Sequence, residues 1–366
     1  MAGTDQALVS EREQKILGII ETARGKRGKF RDSQITMAHG AGGKATQSLI
    51  EGLFVPALGG DTLAEMADAG ALAVDGVELA LTTDSYVVKP LRFPGGSIGE
   101  LAVNGTVNDL AVSGAKPIAL SLSLVLEEGL SAEDLRAEVA AIAQAASAAG
   151  VPIVAGDTKV VERGHADGMY ICTSGIGRRD PRAQMSPSAL RPGDRILLSG
   201  SIGEHGTAIM LARGEFELDA EIESDTCSLW PAVDALLEAV GPHLRCMRDA
   251  TRGGVASVLN ELARASTVAM IVREGEVPVQ AAVAGAAEIL GIDPMYVANE
   301  GKMVVFVAPE AAERALQVLR SVPGCEAAAE IGEVRTEPPG MVLVQTAFGG
   351  RRVMDQLVGD PLPRIC

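Results

Sequence analysis

Two apolar rhythms alternate along the chain. Period-two runs at "VELALTTDSYVV" (77–88), "PIALSLSLVL" (117–126), "VPIVAGDTKVV" (151–161) and "GMYICTSGIGRR" (168–179) predict strands. Between them, "IGELAVNGTVNDLAVSGA" (98–115) carries helical spacing at Leu101, Val107, Leu110 and Val112. "LSAEDLRAEVAAIAQAASAAG" (130–150) predicts a second helix, with Ser131 as N-cap, Asp134 completing a capping-box-like pair, and Gly150 ending it. A Pro-, Ser- and Arg-rich seam, "DPRAQMSPSALRPGDR" (180–195), interrupts the pattern and predicts a domain boundary. Beyond it the rhythm resumes. Strands are expected at "RILLSG", "VAMIV", "KMVVFVA" and "GMVLVQ", and helices near 205–213, 228–240, 253–266 and 309–321.

Both halves therefore mix strands and helices, and the fold class is α+β with two domains. The expected division is an extension over 1–30, a first domain over 31–180, a second over 181–350, and a tail over 351–366. A short helix around "EREQKILGIIETA" is predicted in the extension. The tail, "DPLPRIC", holds Pro361 and Pro363 and ends on Cys366. Two prolines deny it a regular helix or a central strand. It reads as a solvent-facing arm with a nucleophile at its tip.

Composition narrows the function. The 366 residues are 47% apolar but only 3% aromatic, so the cores are built from Ala, Val, Leu and Ile. A formal net charge of −16 repels nucleic acid and anionic lipid, and neither is an expected partner. No apolar run reaches the ~20 residues that span a bilayer. The five cysteines are scattered without a C-x-x-C, which favours reduced thiols and a cytoplasmic setting.

Four acidic positions stand beside small or hydroxylic residues: Asp84 in "TTDS", Asp109 in "VNDLA", Asp157 in "AGDTK" and Asp249 in "DATRGG". Each alone suits a turn former or a helix cap. Together they suit a hard divalent cation, since Mg2+ is held by a few carboxylates plus phosphate oxygens. "HGAGGK" offers backbone N–H groups at Gly42 and Gly43 for phosphate. It is not a Walker A loop, because Ala45 follows Lys44. "TRGGVASVLNELA" is a second glycine-rich helix start suited to phosphate or to simple helix entry. Glu300 in "NEGK" and Lys159 in "GDTK" complete the candidates, although each residue type is most often merely solvated.

In this order the motifs "TTDS", "VNDLAVSGAKP", "AGDTKVV", "DATRGG" and "NEGK" resemble the ATP-binding superfamily of aminoimidazole ribonucleotide synthetase and selenophosphate synthetase. With "HGAGGK" ahead of them and "PRIC" at the end, the resemblance narrows to the hydrogenase maturation factors of the HypE family, over residues 31 to 366. The extension of about thirty residues departs from that pattern. The resemblance implies two domains of the aminoimidazole ribonucleotide synthetase type, a homodimer formed across the N-terminal sheet, and ATP with Mg2+. It implies that Cys366 accepts a carbamoyl group from the carbamoyltransferase HypF. ATP-dependent dehydration then yields a thiocyanate, whose cyanide passes to iron in the HypC–HypD complex. Asp84, Asp109, Asp157 and Asp249 would be the Mg2+–phosphate set, with Asn104, Thr158 and Lys159 bordering the triphosphate. Glu300 would be a base or orienter, and Lys159 a charge stabiliser on the transferring phosphoryl group. Rival expectations are another enzyme of the superfamily or a non-catalytic adaptor. A selenophosphate synthetase would carry Cys or selenocysteine in the glycine loop, which here has none.

Overall fold

The computed structural model describes residues 30–59, 67–214, 221–359 and 364–366. The helix expected near residues 11–23 lies outside them. After the glycine loop, α1 (Lys44–Leu49) runs through a π turn at Ile50–Phe54 into α2 (Val55–Leu58).

The first domain is a five-stranded sheet. Its strands are β1 (Gly70–Val74), β2 (Val77–Tyr86), β5 (Ala115–Glu127), β6 (Ile153–Val161) and β7 (Met169–Arg179), in the order β1-β2-β7-β5-β6. A small ribbon, β3 (Arg92–Phe93) with β4 (Gly96–Ser97), leads into α3 (Ile98–Val112). The Ser97 side chain accepts from the Glu100 N–H, which caps that helix. Helix α4 (Ala132–Ala149) starts at Ser131, whose hydroxyl accepts from the Asp134 N–H. It stops at Gly150, whose φ of 68° is the left-handed cap that a glycine adopts without strain.

Helix α3 is apolar around most of its circumference, and such a helix must be enclosed. It packs against β2, β5 and β7 on one side and reaches the second domain on the other. Among the described residues, no helix packs on the opposite face of the first sheet. Leu72, Leu81, Ile118, Val154 and Val160 are exposed there or along the β6 edge.

The second domain holds a seven-stranded sheet in the order β14-β13-β10-β12-β8-β11-β9. Its strands are β8 (Arg195–Leu198), β9 (Leu244–Asp249), β10 (Ala269–Arg273), β11 (Met303–Val307), β12 (Ala329–Arg335), β13 (Val342–Gln345) and β14 (Arg351–Met354). Five helices accompany it: α5 (Glu204–Ala212), α6 (Trp230–Val240), α7 (Gly254–Ala265), α8 (Ala281–Leu290) and α9 (Ala312–Arg320). Leu197, Met303, Val305 and Val307 pack with α6 and α9, while Ile196, Leu198, Val304 and Phe306 pack with α7. Burial on both faces explains why β11 reads as a continuous apolar run rather than an alternating one.

Strand β14 and helix α8 were not anticipated. β14 pairs antiparallel with β13, so residues 351–354 join the sheet instead of belonging to the tail. The period-two pattern of "RRVM" is too short and too basic to signal a strand without its partner.

Candidate active site

The two domains meet at a narrow cavity lined by Asp84, Ser85, Tyr86, Gly105, Asp109, Asp249, Thr251, Arg252, Glu300 and Cys366. Three of the four acidic candidates thus converge. Asp84 lies inside β2 and Asp109 inside α3, the strand and helix that the rhythm predicts, rather than in the turn or cap that each residue alone suits. Asp249 ends β9 and opens the glycine turn into α7. A side chain from a strand and one from a helix can meet only because α3 lies flat on the sheet. At Gly105 a Cβ would strike the Tyr86 hydroxyl, so glycine permits that close approach.

Asp68 is the residue the sequence reading missed. Its carboxylate, with those of Asp109 and Asp249, forms a group whose oxygens all lie within 4.8 Å of one another. The Thr82 hydroxyl donates to Asp109 Oδ2 at 2.7 Å, and Arg248 Nε lies 2.9 Å from Asp68 Oδ1. Burial pushes the Asp68 carboxyl up to about 6 despite Arg248. Burial and neighbouring carboxylates push Asp109 and Asp249 well above the usual carboxylate range. Such a cluster is poised for a hard cation: three oxygen donors are gathered where Arg248 and Thr82 offset their mutual repulsion only in part. Asp68 stands in "MADAGA", which has no hydroxylic neighbour to mark it.

Glu300 is buried, and its N–H donates to Asp225 Oδ1 at 3.0 Å. Its carbonyl accepts from Asn108 Nδ2 at 3.0 Å. Burial first, then Asp249, Asp225 and Asp84, push the Glu300 carboxyl well up, while Arg252 opposes this. Asn108 also donates to the Cys227 carbonyl and accepts from the Leu229 N–H, so one amide of α3 fastens the Glu300 loop and the 225–229 segment. Behind it, Lys302 Nζ lies 3.5 Å from Asp225 Oδ2.

The glycine loop flanks this cavity. Arg252 Nη1 donates to the Gly40 carbonyl at 3.1 Å and Ser257 Oγ to the Gly42 carbonyl at 3.3 Å. A Cβ at Gly42 would come within 2.8 Å of the Arg252 carbonyl, and one at Gly43 would collide with the Leu357 carbonyl. Lys44 is drawn aside by Asp355 at 2.8 Å. His39 is buried against Phe30, bonded to Thr36 and Asp32. Asn104 is buried at the domain seam, donating to Thr226 Oγ1 at 3.3 Å, and does not line the cavity.

Asp157, Thr158 and Lys159 are elsewhere in the protomer. They lie within β6, the outer edge strand, not in a turn, and all three are exposed. Lys159 Nζ pairs with Asp157 at 2.7 Å. The three residues do not join Asp84, Asp109 and Asp249 within one chain.

The expectation of a solvent-facing tip is corrected by the last three residues. Ile365 is buried among Val88, Ile98, Leu101, Ile209, Val297 and Ala298. The Val87 N–H donates to the Cys366 carbonyl at 3.1 Å and the Lys89 N–H to the Arg364 carbonyl at 3.4 Å, extending β2 by a short pairing. Arg213 Nη2 donates to the Arg364 carbonyl at 2.7 Å, and His205 Nε2 to the Ile365 carbonyl at 2.6 Å. The physical reason is that isoleucine supplies apolar burial and each tail carbonyl finds a donor. Cys366 is thereby half-buried in the cavity with Glu300, and its charge is the largest influence raising the Arg252 pKa.

Among known families, two models match: the AIR synthase related protein N-terminal domain over residues 66–179, and the AIR synthase related protein C-terminal domain over 191–344. The carbamoyl dehydratase HypE of Rhodobacter capsulatus is 48% identical over 340 residues, covering 92% of this chain and 99% of the relative. That of Escherichia coli K12 is 44% identical, covering 91% of this chain and 100% of the relative. A HypE structure in complex with HypF aligns with a TM-score of 0.81 at 44% identity, covering 85% of this chain and 100% of that one. A HypE structure in complex with ATP aligns at 0.76 and 44% identity, covering 91% and 100%. A thiamine monophosphate kinase, AaThiL with AMPPCP and TMP, aligns at 0.67 and 18% identity over 89% of this chain and 99% of that one, a likeness of fold alone.

Proposed function

Because the chain belongs to the HypE family of carbamoyl dehydratases, built on the two AIR synthase related domains, we propose that the cavity at the domain seam is where its own terminal cysteine is processed. The enzyme is an ATP-dependent carbamoyl dehydratase of hydrogenase maturation. The observation that carries the site assignment is the presence of Cys366 and Glu300 in one cavity with Asp84, Asp109 and Asp249.

The chemistry starts from a carbamoyl group on the Cys366 sulfur. ATP phosphorylates the amide oxygen, releasing ADP and one N–H proton and leaving an imidate phosphate whose oxygen is now a leaving group. A base takes the one remaining N–H proton as phosphate departs, leaving S–C≡N. Glu300 suits the base: burial makes its carboxylate a stronger base than a solvated one, and Asp225 and Asn108 hold its main chain. Arg252, beside the sulfur-bearing residue, suits charge that develops on the transferring phosphoryl group. Asp68, Asp109 and Asp249, with Asp84 beside them, would hold Mg2+, whose part is to neutralise triphosphate charge. The Gly42 N–H is taken by the Thr46 hydroxyl at 3.0 Å, so Gly43 and the start of α7 would supply the main-chain N–H groups for phosphate.

The remaining candidates suit a homodimer. The uncovered sheet face and the exposed β6 edge would be enclosed by a second copy. Asp157, Thr158 and Lys159 on that edge would then serve the neighbouring protomer's triphosphate. This accounts for a conspicuous Asp–Thr–Lys triplet left outside its own cavity. HypF is the proposed carbamoyl donor, by likeness to the HypE–HypF complex, and HypC–HypD the acceptor of cyanide. A cytoplasmic setting agrees with the scattered reduced cysteines, and no helix among the described residues is long and apolar enough to cross a membrane.

Intact-mass analysis tests the reading. After incubation with HypF, a carbamoyl donor and ATP, Cys366 should gain one carbamoyl group and then lose one water. Carbamoylation elsewhere, or a loaded Cys366 that never loses water, would overturn it.

A further inference from the structure

His205 lies at the second position of α5 and has no solvent exposure. Its ring stands edge-on to Phe93, with centroids 5.6 Å apart and planes at 83°. A carbonyl only accepts, so Nε2 carries the proton that bonds the Ile365 carbonyl at 2.6 Å. Nδ1 is then the acceptor, and the Ser224 hydroxyl 2.8 Å away is its donor. Ser224 Oγ accepts in turn from the Thr226 N–H at 3.2 Å. Before the tail arrives the ring is held at Nδ1 by Ser224 and edge-on by Phe93, and the Ile365 carbonyl then occupies Nε2. Burial lowers its pKa, which keeps one nitrogen free to accept.

We propose that His205 is a positioning residue that sets the register of the docked tail, reading the Ile365 carbonyl and so placing the terminal sulfur at Glu300. The other donors to the tail do not fix register equally well. Val87 and Lys89 offer main-chain N–H groups along an extended segment, and Arg213 sits on a long side chain that also binds the Lys89 carbonyl. A slip of one residue would move the sulfur by about 3.5 Å and turn its side chain to the other face. A rigid imidazole beneath one carbonyl opposes that slip. The Ile365 pocket supplies apolar attraction, while His205 supplies the address. Ser224 acts one step further out by holding the imidazole in the tautomer that donates.

The test uses the full-length protein with ATP and Mg2+. The first readout is the rate of Cys366 alkylation by iodoacetamide, mapped by peptide mass, with the half-buried Cys172 of β7 as internal control. Losing one buried hydrogen bond of this kind changes such an equilibrium by about tenfold. His205→Leu is therefore expected to speed alkylation of Cys366 by about tenfold and leave Cys172 unchanged. His205→Gln, whose amide can still donate from the same side, is expected to recover most of the protection. Ser224→Ala is expected to give a smaller increase, and it carries the test should the leucine variant fail to fold. The second readout is dehydration of tail already carbamoylated by the partner enzyme. Here the first-order rate should fall about tenfold while the KM for ATP holds. Wild-type alkylation in both His205→Leu and Ser224→Ala, or an equal rise at Cys172, would overturn the proposal. The alkylation arm assumes nothing about the reaction, so it can fail while the dehydratase assignment stands, and the reverse.

Discussion

At the residue scale, the acidic cluster is a stored conflict. In the metal-free protein Asp68 prefers its proton once folded, since burial raises its carboxyl from the ordinary range to about 6. A folded-state pKa above the unfolded one means that the folded state binds more protons in that interval. The contribution of Asp68 is therefore fully present below about pH 4 and is lost as pH rises through about 6. Thermal melts of metal-free protein should show Asp68→Asn flattening this loss, and Mg2+ should offset it in the wild type alone. A wild-type melting profile from Asp68→Asn would remove Asp68 from the cluster's energetics. Asp109→Asn and Asp249→Asn should abolish ATP hydrolysis while melting near the wild type in metal-free buffer. Asn108→Leu should be worse than either for stability. It strands two carbonyls and one N–H at a buried seam, a cost of about 3 kcal/mol measurable by urea unfolding. Asp84, Asp109, Asp249 and Glu300 could be singled out in the sequence because each stands in a motif of small or hydroxylic residues. Asp68, Asn108 and His205 could not. Their partners are tens to hundreds of positions away, and nothing local distinguishes them from ordinary core-edge residues.

At the scale of elements, the strong rhythms identified their strands and helices, from β2 through α4 to β11, because burial pattern and local capping agree there. What rhythm could not convey was which way an acidic residue faces within its element. Asp84 and Asp109, each suited alone to a turn or a cap, lie in a predicted strand and helix, where polar atoms normally face water. Here they face a shared cavity instead. The tail was misjudged for a related reason. Its prolines do forbid regular structure, yet Ile365 and three carbonyl acceptors suffice to dock it. Ile365→Ala should weaken that docking through lost apolar burial of about 2 kcal/mol and slow dehydration, leaving carbamoyl loading intact. One residue appended after Cys366 should also stop dehydration, since the cavity closes around the terminus. An extended protein that still loses water at the wild-type rate would show that the thiol reacts elsewhere.

For the whole molecule, the apolar sheet face and the exposed edge strand suit the proposed homodimer. Leu81→Asp should give monomers by sedimentation and should depress ATP turnover although Leu81 does not line the cavity. Mixing Lys159→Ala chains with Asp249→Asn chains should restore part of the activity, because a mixed dimer holds one cavity assembled from unaltered parts of both. Additive, unrestored activity would mean that each protomer works alone.

The docked terminus has one further consequence, for kinetics. A reactant that is the chain's last residue has no free concentration and no saturation curve. Its local abundance is fixed by the length and stiffness of about a dozen residues, however dilute the protein. Each polypeptide can complete only one chemical event between visits to a donor. Progress curves should then show a burst equal to the number of loaded chains. The steady rate that follows should report release and reloading of the terminus, and it should rise with carbamoyl donor only until reloading no longer limits. Evolution of speed in such a protein would act on how readily Ile365 leaves its pocket at least as much as on the bond-breaking itself.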